Sequence, residues 1–340
     1  METTVIWPNH NSRASIEKVF ESLRCIAKQK YTDFELIIVD DGSVDGSDKL
    51  IYNFIKEEKL FNEIPKIKFI KLSKSYGFTG AVNAGYRARS SDSKYVVIHN
   101  NDACMYEDTL KEYVNVLEEN EHIGALQGII LNAYNPHIVD SAGGYLILRL
   151  PSSYIDVIHL RGIRVDVLKA IISKYADKVG IPITFFEGTL PIIRIEAVKK
   201  AMGFYGERNL FITAAKFYYL EDILLSLMIW NAGFSVYLLN KIIGYHYRSL
   251  VIKSISRLPY FKQLVVRNYS TLRKIVIHSL APGIHVLLDL VFVLRSLCKS
   301  IKLKDLTYIR TIIEGFRFYN AITKSINISD INISNLLTPV

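Results

Sequence analysis

Three groups of polar residues sit where apolar runs start or stop. Asn100-Asn101-Asp102 follows the short run Tyr95-Val96-Val97-Ile98, Asp40-Asp41-Gly42-Ser43 follows Phe34–Val39, and Glu221-Asp222 precedes Ile223-Leu224-Leu225. Oxygen donors just past the carboxyl end of a buried strand suit a hard divalent cation and the phosphates it neutralises. The Asn-Asn-Asp triplet is also good turn chemistry, and the Gly-rich turns read singly as chain reversals. A carboxylate pair opening a helix is favoured there as a simple cap. What these groups do depends on the elements that bring them together.

Those elements alternate. Val5-Ile6-Trp7, Phe34–Val39, Ile67–Leu72 and Tyr95–Ile98 read as strands. Helices are predicted from Ala14 to about Lys28, through Phe54 and Ile55, and from Ala81 after a loop spanning Ser73–Gly80. Near-continuous apolar strands separated by helical segments indicate an α/β fold with a doubly wound, mostly parallel sheet flanked by helices. With 340 residues, half of them hydrophobic, the chain can build one large domain plus a smaller appendage, and global disorder is excluded. Cys25, Cys104 and Cys298 are odd in number and widely spaced. They suggest neither a disulfide framework nor a zinc site and fit a reducing, intracellular setting. Met1-Glu2-Thr3-Thr4 leads directly into a strand without a basic and apolar leader, so a cytoplasmic location is expected.

Four segments then follow in order: Val5-Ile6-Trp7-Pro8-Asn9-His10-Asn11, Ile38-Val39-Asp40-Asp41-Gly42-Ser43, Gly77-Phe78-Thr79-Gly80-Ala81-Val82-Asn83-Ala84-Gly85, and Asn100-Asn101-Asp102. In this order they resemble the motifs of family-two glycosyltransferases, nucleotide-sugar enzymes of the GT-A fold, nearest to the rhamnosyltransferase-like branch. Phe185-Phe186-Glu187-Gly188 with Arg194, then Tyr218-Tyr219-Leu220-Glu221-Asp222 with Ala232-Gly233-Phe234, then Gly244-Tyr245-His246 extend the resemblance, which thins toward Arg273.

The resemblance implies an inverting, metal-dependent transferase using a UDP-, dTDP- or GDP-linked sugar. It implies that Pro8, Asn9, Asn11, Asp40, Asp41, Gly77, Gly80, Asn83, Asn101 and Gly188 line the nucleotide sugar. Asp40 and Asp41 would accept hydrogen bonds from base and ribose. Gly77–Asn83 would let backbone approach the donor, and Gly188 would lie under the sugar. Asp102, Asn100 and His246 would hold Mn2+ or Mg2+, although His246 alone reads equally as a phosphate contact or a satisfied core histidine. Asp222 is the implied general base and Glu221 the runner-up. The chain departs from the pattern at Asn100, a neutral residue where the motif is acidic, at Ser75 for Asn, at Leu224 for an acid, and at Tyr205 for Asp. Arg149–Thr184, with Tyr154, His159, Arg161 and Arg164 and a helical run Val165–Tyr175, reads as an acceptor-side lid or a structural insertion.

Residues 1–246 are thus expected to form the catalytic domain, the nucleotide half ending near residue 103, with a helical region over 247–340. From Tyr247 onward 14 Lys and Arg face 4 Asp and Glu, an excess of +10, whereas the rest carries 28 against 29. A basic, apolar-rich segment suits an anionic membrane surface, on the inner face of the membrane, or an ordinary helical face. Val276–Cys298 is apolar but broken by Pro282, Gly283, Asp289 and Arg295, which argues against a spanning helix. Tyr260 and Arg267-Asn268 match a spacing of the branch, and the tail repeats Ile-Asn-Ile-Ser at Ile326 and Ile331. The expected acceptor is a glycan or lipid-linked saccharide. A polyprenyl-phosphate sugar synthase and a catalytically silent nucleotide-binding protein are the alternatives, and nucleic acid is not expected because no recognisable binding module is present.

Overall fold

Three of the apolar runs of the first hundred residues become strands that are buried almost throughout, and the fourth, Ile67–Lys71, becomes a half-buried strand at the sheet edge. A computed structural model describes residues 1–149, 154–212, 220–248, 259–280 and 283–325. Its first half runs β1 (Thr3–Asn9), α1 (Ile16–Ala27), β2 (Phe34–Asp40), α2 (Ser47–Glu57), α3 (Leu60–Glu63), β3 (Ile67–Lys71), α4 (Gly77–Ala88) and β4 (Tyr95–Ile98). The four strands are parallel, in the order β3-β2-β1-β4. Side chains alternate across each strand. Ile6, Val96 and Ile98 therefore enter one buried cluster, and Val5, Trp7, Tyr95 and Val97 enter the other. Gly85 lets α4 sit against β1, since a Cβ there would lie 2.6 Å from Ile6.

Helix α4 starts four residues before the expected Ala81. The cause is remote: Asp41 accepts hydrogen bonds from the Tyr76 and Gly77 N–H groups, at 2.7 and 2.8 Å. A carboxylate from another segment thus satisfies donors that a helix start leaves open.

The second half runs β5 (Ala103–Met105), α5 (Thr109–Glu119), β6 (Ile123–Asn132), β7 (Asn135–Ser141), β8 (Gly144–Arg149), β9 (Tyr154–His159), α6 (Val165–Tyr175), β10 (Gly180–Pro182), β11 (Ile192–Arg194), α7 (Ile195–Met202), α8 (Phe204–Arg208), α9 (Glu221–Asn231) and β12 (Ser235–His246). Strand β11 is antiparallel to both β4 and β6, and β12 runs parallel to β6. The resulting ten-stranded sheet has the order β10-β12-β6-β11-β4-β1-β2-β3, with β5 on β12 and β7 on β6. Strands β8 and β9 form a separate antiparallel hairpin, and Leu168 and Ile172 of α6 bury against the core.

The expectation for the cysteines is corrected. Cys25 of α1 and Cys104 of β5 are joined by a disulfide, and Cys298 is free and exposed. The partners are 79 residues apart in sequence, so only the packing of α1 against β5 reveals the pair.

Helices α10 (Pro259–Leu280), α11 (His285–Leu303) and α12 (Thr307–Ser325) follow, so the apolar stretch Val276–Cys298 is split between two helices, as its interruptions indicated. Arg273 of α10 is fully buried and donates to Asp289 Oδ1 of α11 at 2.6 Å. Among the described residues no helix is long and apolar enough to cross a membrane. Tyr218, Tyr219 and the Ile326 and Ile331 repeats lie outside the described residues.

Candidate active site

The strand order turns at β1, with β2 on one side and β4 on the other, and a doubly wound sheet opens its ligand crevice at such a point. The polar residues that end these strands meet there. Asn9 Nδ2 donates to Asp40 Oδ1 at 2.9 Å, and Asn9 Oδ1 accepts from Asn101 Nδ2 at 2.9 Å. Asp40 also accepts from the Ser43 backbone, while Asp41 accepts from Ser75 Oγ at 2.7 Å. Asn11, at φ +47°, accepts from the Val44 N–H. Asn9, Asn11, Asp40, Asp41, Gly77 and Asn101 therefore converge, and Pro8 precedes Asn9 in β1. Asn83 does not join them. It is fully buried, accepts from the Leu210 and Phe211 N–H groups, and donates to the Phe211 carbonyl at 2.7 Å. Its expected donor contact is corrected to a structural tie between α4 and the segment after α8. Gly80 packs against the Tyr76 side chain.

A second group lies at the ends of β5 and β12, whose antiparallel pairing sets His246 opposite Ala103. His246 Nε2 lies 2.8 Å from Asp102 Oδ1, and its Nδ1 lies 2.7 Å from Asp140 Oδ2. Arg248 Nε donates to the other Asp140 oxygen at 2.9 Å. Burial opposes a charge on His246, but the two carboxylates outweigh it and raise the imidazole to about 9. Burial likewise opposes ionisation of Asp140, and His246 and Arg248 reverse that and hold it below the usual carboxylate range.

These groups fit a divalent cation in part. Asp140 orients the ring through Nδ1, which turns Nε2 toward Asp102, a carboxylate–histidine arrangement that metal sites use. Asp102 offers one hard oxygen, and His246 offers an imidazole nitrogen once an arriving cation has displaced the Nε2 proton that it shares with Asp102. Asn100 is turned to Thr189, whose Oγ1 accepts from its Nδ2 at 3.1 Å. Among the described residues no group of three or more His, Cys, Asp or Glu forms a closed cage. Such a site suits a cation that takes its remaining ligands from substrate phosphates.

The third group is reached through the loop before β11. Gly188 N–H donates to Asp222 Oδ2 at 3.1 Å. Asp222 is the second residue of α9, which Glu221 opens after Leu220, whose φ of +106° is a strained conformation for a side-chain-bearing residue. Burial, then the neighbouring Glu187 charge, raise Asp222 to about 6. Glu187 itself is buried, and His159 Nδ1 lies 2.8 Å from its Oε1, with Arg161 at 3.8 Å. Desolvation pushes Glu187 up, but His159, Ser141 and Arg161 outweigh it and hold it below its ordinary value. Gln127 binds this loop from β6. Its Oε1 accepts from Glu187 N–H at 2.8 Å, and its Nε2 donates to the Thr189 carbonyl at 3.0 Å. Glu221 stands beside Asp222 in the first turn of α9.

Glu187, Gln127 and Asp140 are absent from the expected site residues, and His159 enters the expectations only through the acceptor-side lid. Gln127 and Asp140 carry a usable signal, since each is a polar side chain buried within a strand of the sheet. His159 and Glu187 meet only through the fold of the hairpin.

A parallel half, extended by mixed strands that bring in a second group of carboxylates, is the GT-A class of fold. Residues 4–200, more than half of the chain, match the model of glycosyl transferase family 2, and the chain belongs to that family. S. aureus TarS 1–349, solved in complex with UDP-GlcNAc, is 18% identical with a TM-score of 0.56, covering 98% of this chain and 91% of that one. The mannosyltransferase PcManGT from Pyrobaculum calidifontis, solved with GDP-Man and Mn2+, is 16% identical with a TM-score of 0.52, covering 98% and 86%. At these identities the likeness concerns the fold. An undecaprenyl-phosphate 4-deoxy-4-formamido-L-arabinose transferase of Proteus mirabilis is 32% identical over 91 residues, 27% of this chain and 26% of that protein. The chain spans from 25% to 63% of the lengths of the curated relatives it matches.

Proposed function

We propose that this chain is an inverting glycosyltransferase that moves a hexose or deoxyhexose from a UDP-, dTDP- or GDP-linked donor to a hydroxyl on a glycan or lipid-linked saccharide. The reading takes residues 1–246 as the catalytic unit. The observation that carries it is Asp222, a partly buried carboxylate raised to about 6 and held by Gly188 beside the nucleotide crevice. Above that pH it is ionised and can accept a proton. In the step, the acceptor oxygen bonds to the anomeric carbon from the face opposite the leaving group. The carbon–oxygen bond to the diphosphate breaks, its electron pair leaves with the diphosphate, and the acceptor proton passes to Asp222. Asp102 and His246 would hold a divalent cation, Mn2+ or Mg2+, which neutralises charge on the departing diphosphate. The nucleotide sugars bound by TarS and PcManGT support the donor class.

The Proteus mirabilis relative favours one second reading, transfer to a polyprenyl phosphate. A phosphate oxygen is already ionised and needs no base. The test incubates the chain with UDP-, dTDP- and GDP-sugars and either Mn2+ or Mg2+, offering hydroxyl acceptors and polyprenyl phosphate in parallel, and reads the product's anomeric configuration by NMR. An inverted glycoside on a hydroxyl is the expected product. A lipid phosphate product supports the second reading. Retained configuration, or no donor consumed with any metal, overturns the proposal, the latter in favour of a silent nucleotide-binding protein.

A further inference from the structure

Helix α11 carries an apolar face that nothing among the described residues covers. Val286, Leu287, Leu290, Leu294, Leu297 and Ile301 recur at helical spacing and are exposed, from 38% at Leu297 to 70% at Val286. Residues three and four apart share one side of a helix, so these six form a single stripe. The opposite side, Leu288, Asp289, Phe292, Ser296 and Ser300, is buried. A stripe of this length is too large to be a scatter of surface apolar residues and marks an interaction site.

The charge on the helix selects the occupant. Arg295, Lys299 and Lys302, spaced by four and three, are exposed alongside the stripe, and Lys304 follows at the helix end. Lys299 sits over the Tyr308 ring at 4.7 Å. The one acid of α11, Asp289, is turned inward onto Arg273 at 2.6 Å. A second copy of this chain would bring the same cations against one another. An anionic lipid surface takes up the apolar stripe and the cations together, which is how an amphipathic helix lies at a membrane interface. No described helix is long and apolar enough to cross a membrane.

We propose that α11 is the element through which this protein docks on an anionic membrane surface. Its place in the fold ties it to the site. Tyr154, at the start of β9, meets Phe292 of α11 edge to face at 5.4 Å, and Tyr269 of α10 donates to the Ile155 carbonyl at 3.0 Å. The far end of β9 is His159, which contacts Glu187 beside Asp222. Five residue steps of strand, roughly 17 Å, thus separate the membrane helix from the catalytic loop. A saccharide on a surface lipid is thereby brought to the acceptor side of the site, a consequence that rests on the transfer reading above, whereas the docking itself does not.

The test measures co-sedimentation of the full chain with vesicles of phosphatidylcholine alone and of phosphatidylcholine with phosphatidylserine. Cys298, the one free and exposed cysteine on α11, carries an environment-sensitive fluorophore in a parallel sample. Binding and a blue shift are expected only with the anionic vesicles, decreasing as salt is added. Leu290→Ser with Leu294→Ser should abolish both. Lys299→Gln with Lys302→Gln should weaken binding by about fivefold for each cation removed. Equal binding to both vesicle types overturns the proposal, as does serine-variant binding equal to the parent. So does a dimer that the serine variants dissolve while no form binds vesicles. Unchanged melting temperatures verify that the variants are folded, and donor consumption in vesicle-free solution tests the transfer reading separately.

Discussion

Gly188 N–H donates to Asp222 Oδ2 at 3.1 Å, so the residue that holds this carboxylate adjoins Glu187, the residue whose charge perturbs it. The loop is not free to drift, because Gln127 binds both sides of it. The hairpin contributes the counter-charge, with His159 and Arg161 keeping Glu187 ionised. The pairing of one carboxylate held low and a neighbour held high is a pattern that separates proton-transfer roles.

A pH dependence follows from this pairing. Asp222 accepts a proton only when ionised, so kcat/KM should fall as pH drops through about 6, the value to which burial and Glu187 raise it. Glu187→Gln removes the repelling charge and should move that acidic limb to lower pH. Profiles of kcat/KM for both forms, recorded at saturating Mn2+, check this. An unmoved limb in Glu187→Gln would show that Glu187 does not tune the base.

The metal assignment makes its own prediction. Asp102→Asn keeps an oxygen that can accept from His246 Nε2 but loses the negative charge that a divalent cation requires. Turnover should be abolished across metal concentrations in a protein that still folds, with a lowered melting temperature because His246 loses one of its two carboxylate partners. Asn100→Ala should do less, since its amide is engaged with Thr189 and carries no charge. Parent-like activity in Asp102→Asn would remove this residue from the site.

Cys25 and Cys104 provide a count that can be read directly. Thiol titration of the denatured, unreduced chain should find one free thiol, that of Cys298, and three after reduction. Closing a loop between residues 79 apart constrains the unfolded chain, so reduction should lower stability by about 2–4 kcal/mol. Three thiols before reduction would mean that the bond does not form.

What could be read ahead of the structure was what local pattern encodes. Phe34–Val39 and Tyr95–Ile98 announce buried parallel strands through unbroken apolar runs, and their polar ends mark the crevice. Residues whose role depends on distant partners were not legible. The start of α4 depends on Asp41, 36 residues before Gly77. Asn83 lies in a motif that reads as donor-binding, yet it is used up on Phe211, 128 residues away. The partner of Asp140 was not legible either, because only the placing of β7 and β12 on either side of β6 sets it against His246. Composition did locate the basic C-terminal region, but which face of α11 is left open follows from packing alone.

Asp222→Asn addresses the mechanism most directly. The substitution nearly preserves shape, and its side-chain oxygen can still accept from the Gly188 and Ile223 N–H groups that now hold Asp222. Fold and melting temperature should therefore change little, since Asp222 lies inside the first turn of α9 and Leu220, not Asp222, is the N-cap. Donor affinity should also stay close to the parent, because the strand-tip residues Asn9, Asp40 and Asp41 form a separate group. Proton acceptance, by contrast, is lost. Transfer to a hydroxyl should fall by about 10² to 10⁴, the range for a positioned acid or base. Transfer to a polyprenyl phosphate, whose oxygen is already ionised, should fall far less, so the mutant also separates the two acceptor readings. Full hydroxyl transfer by a stably folded Asp222→Asn protein would eliminate Asp222, and the role of base would pass to Glu221, its neighbour in the first turn of α9.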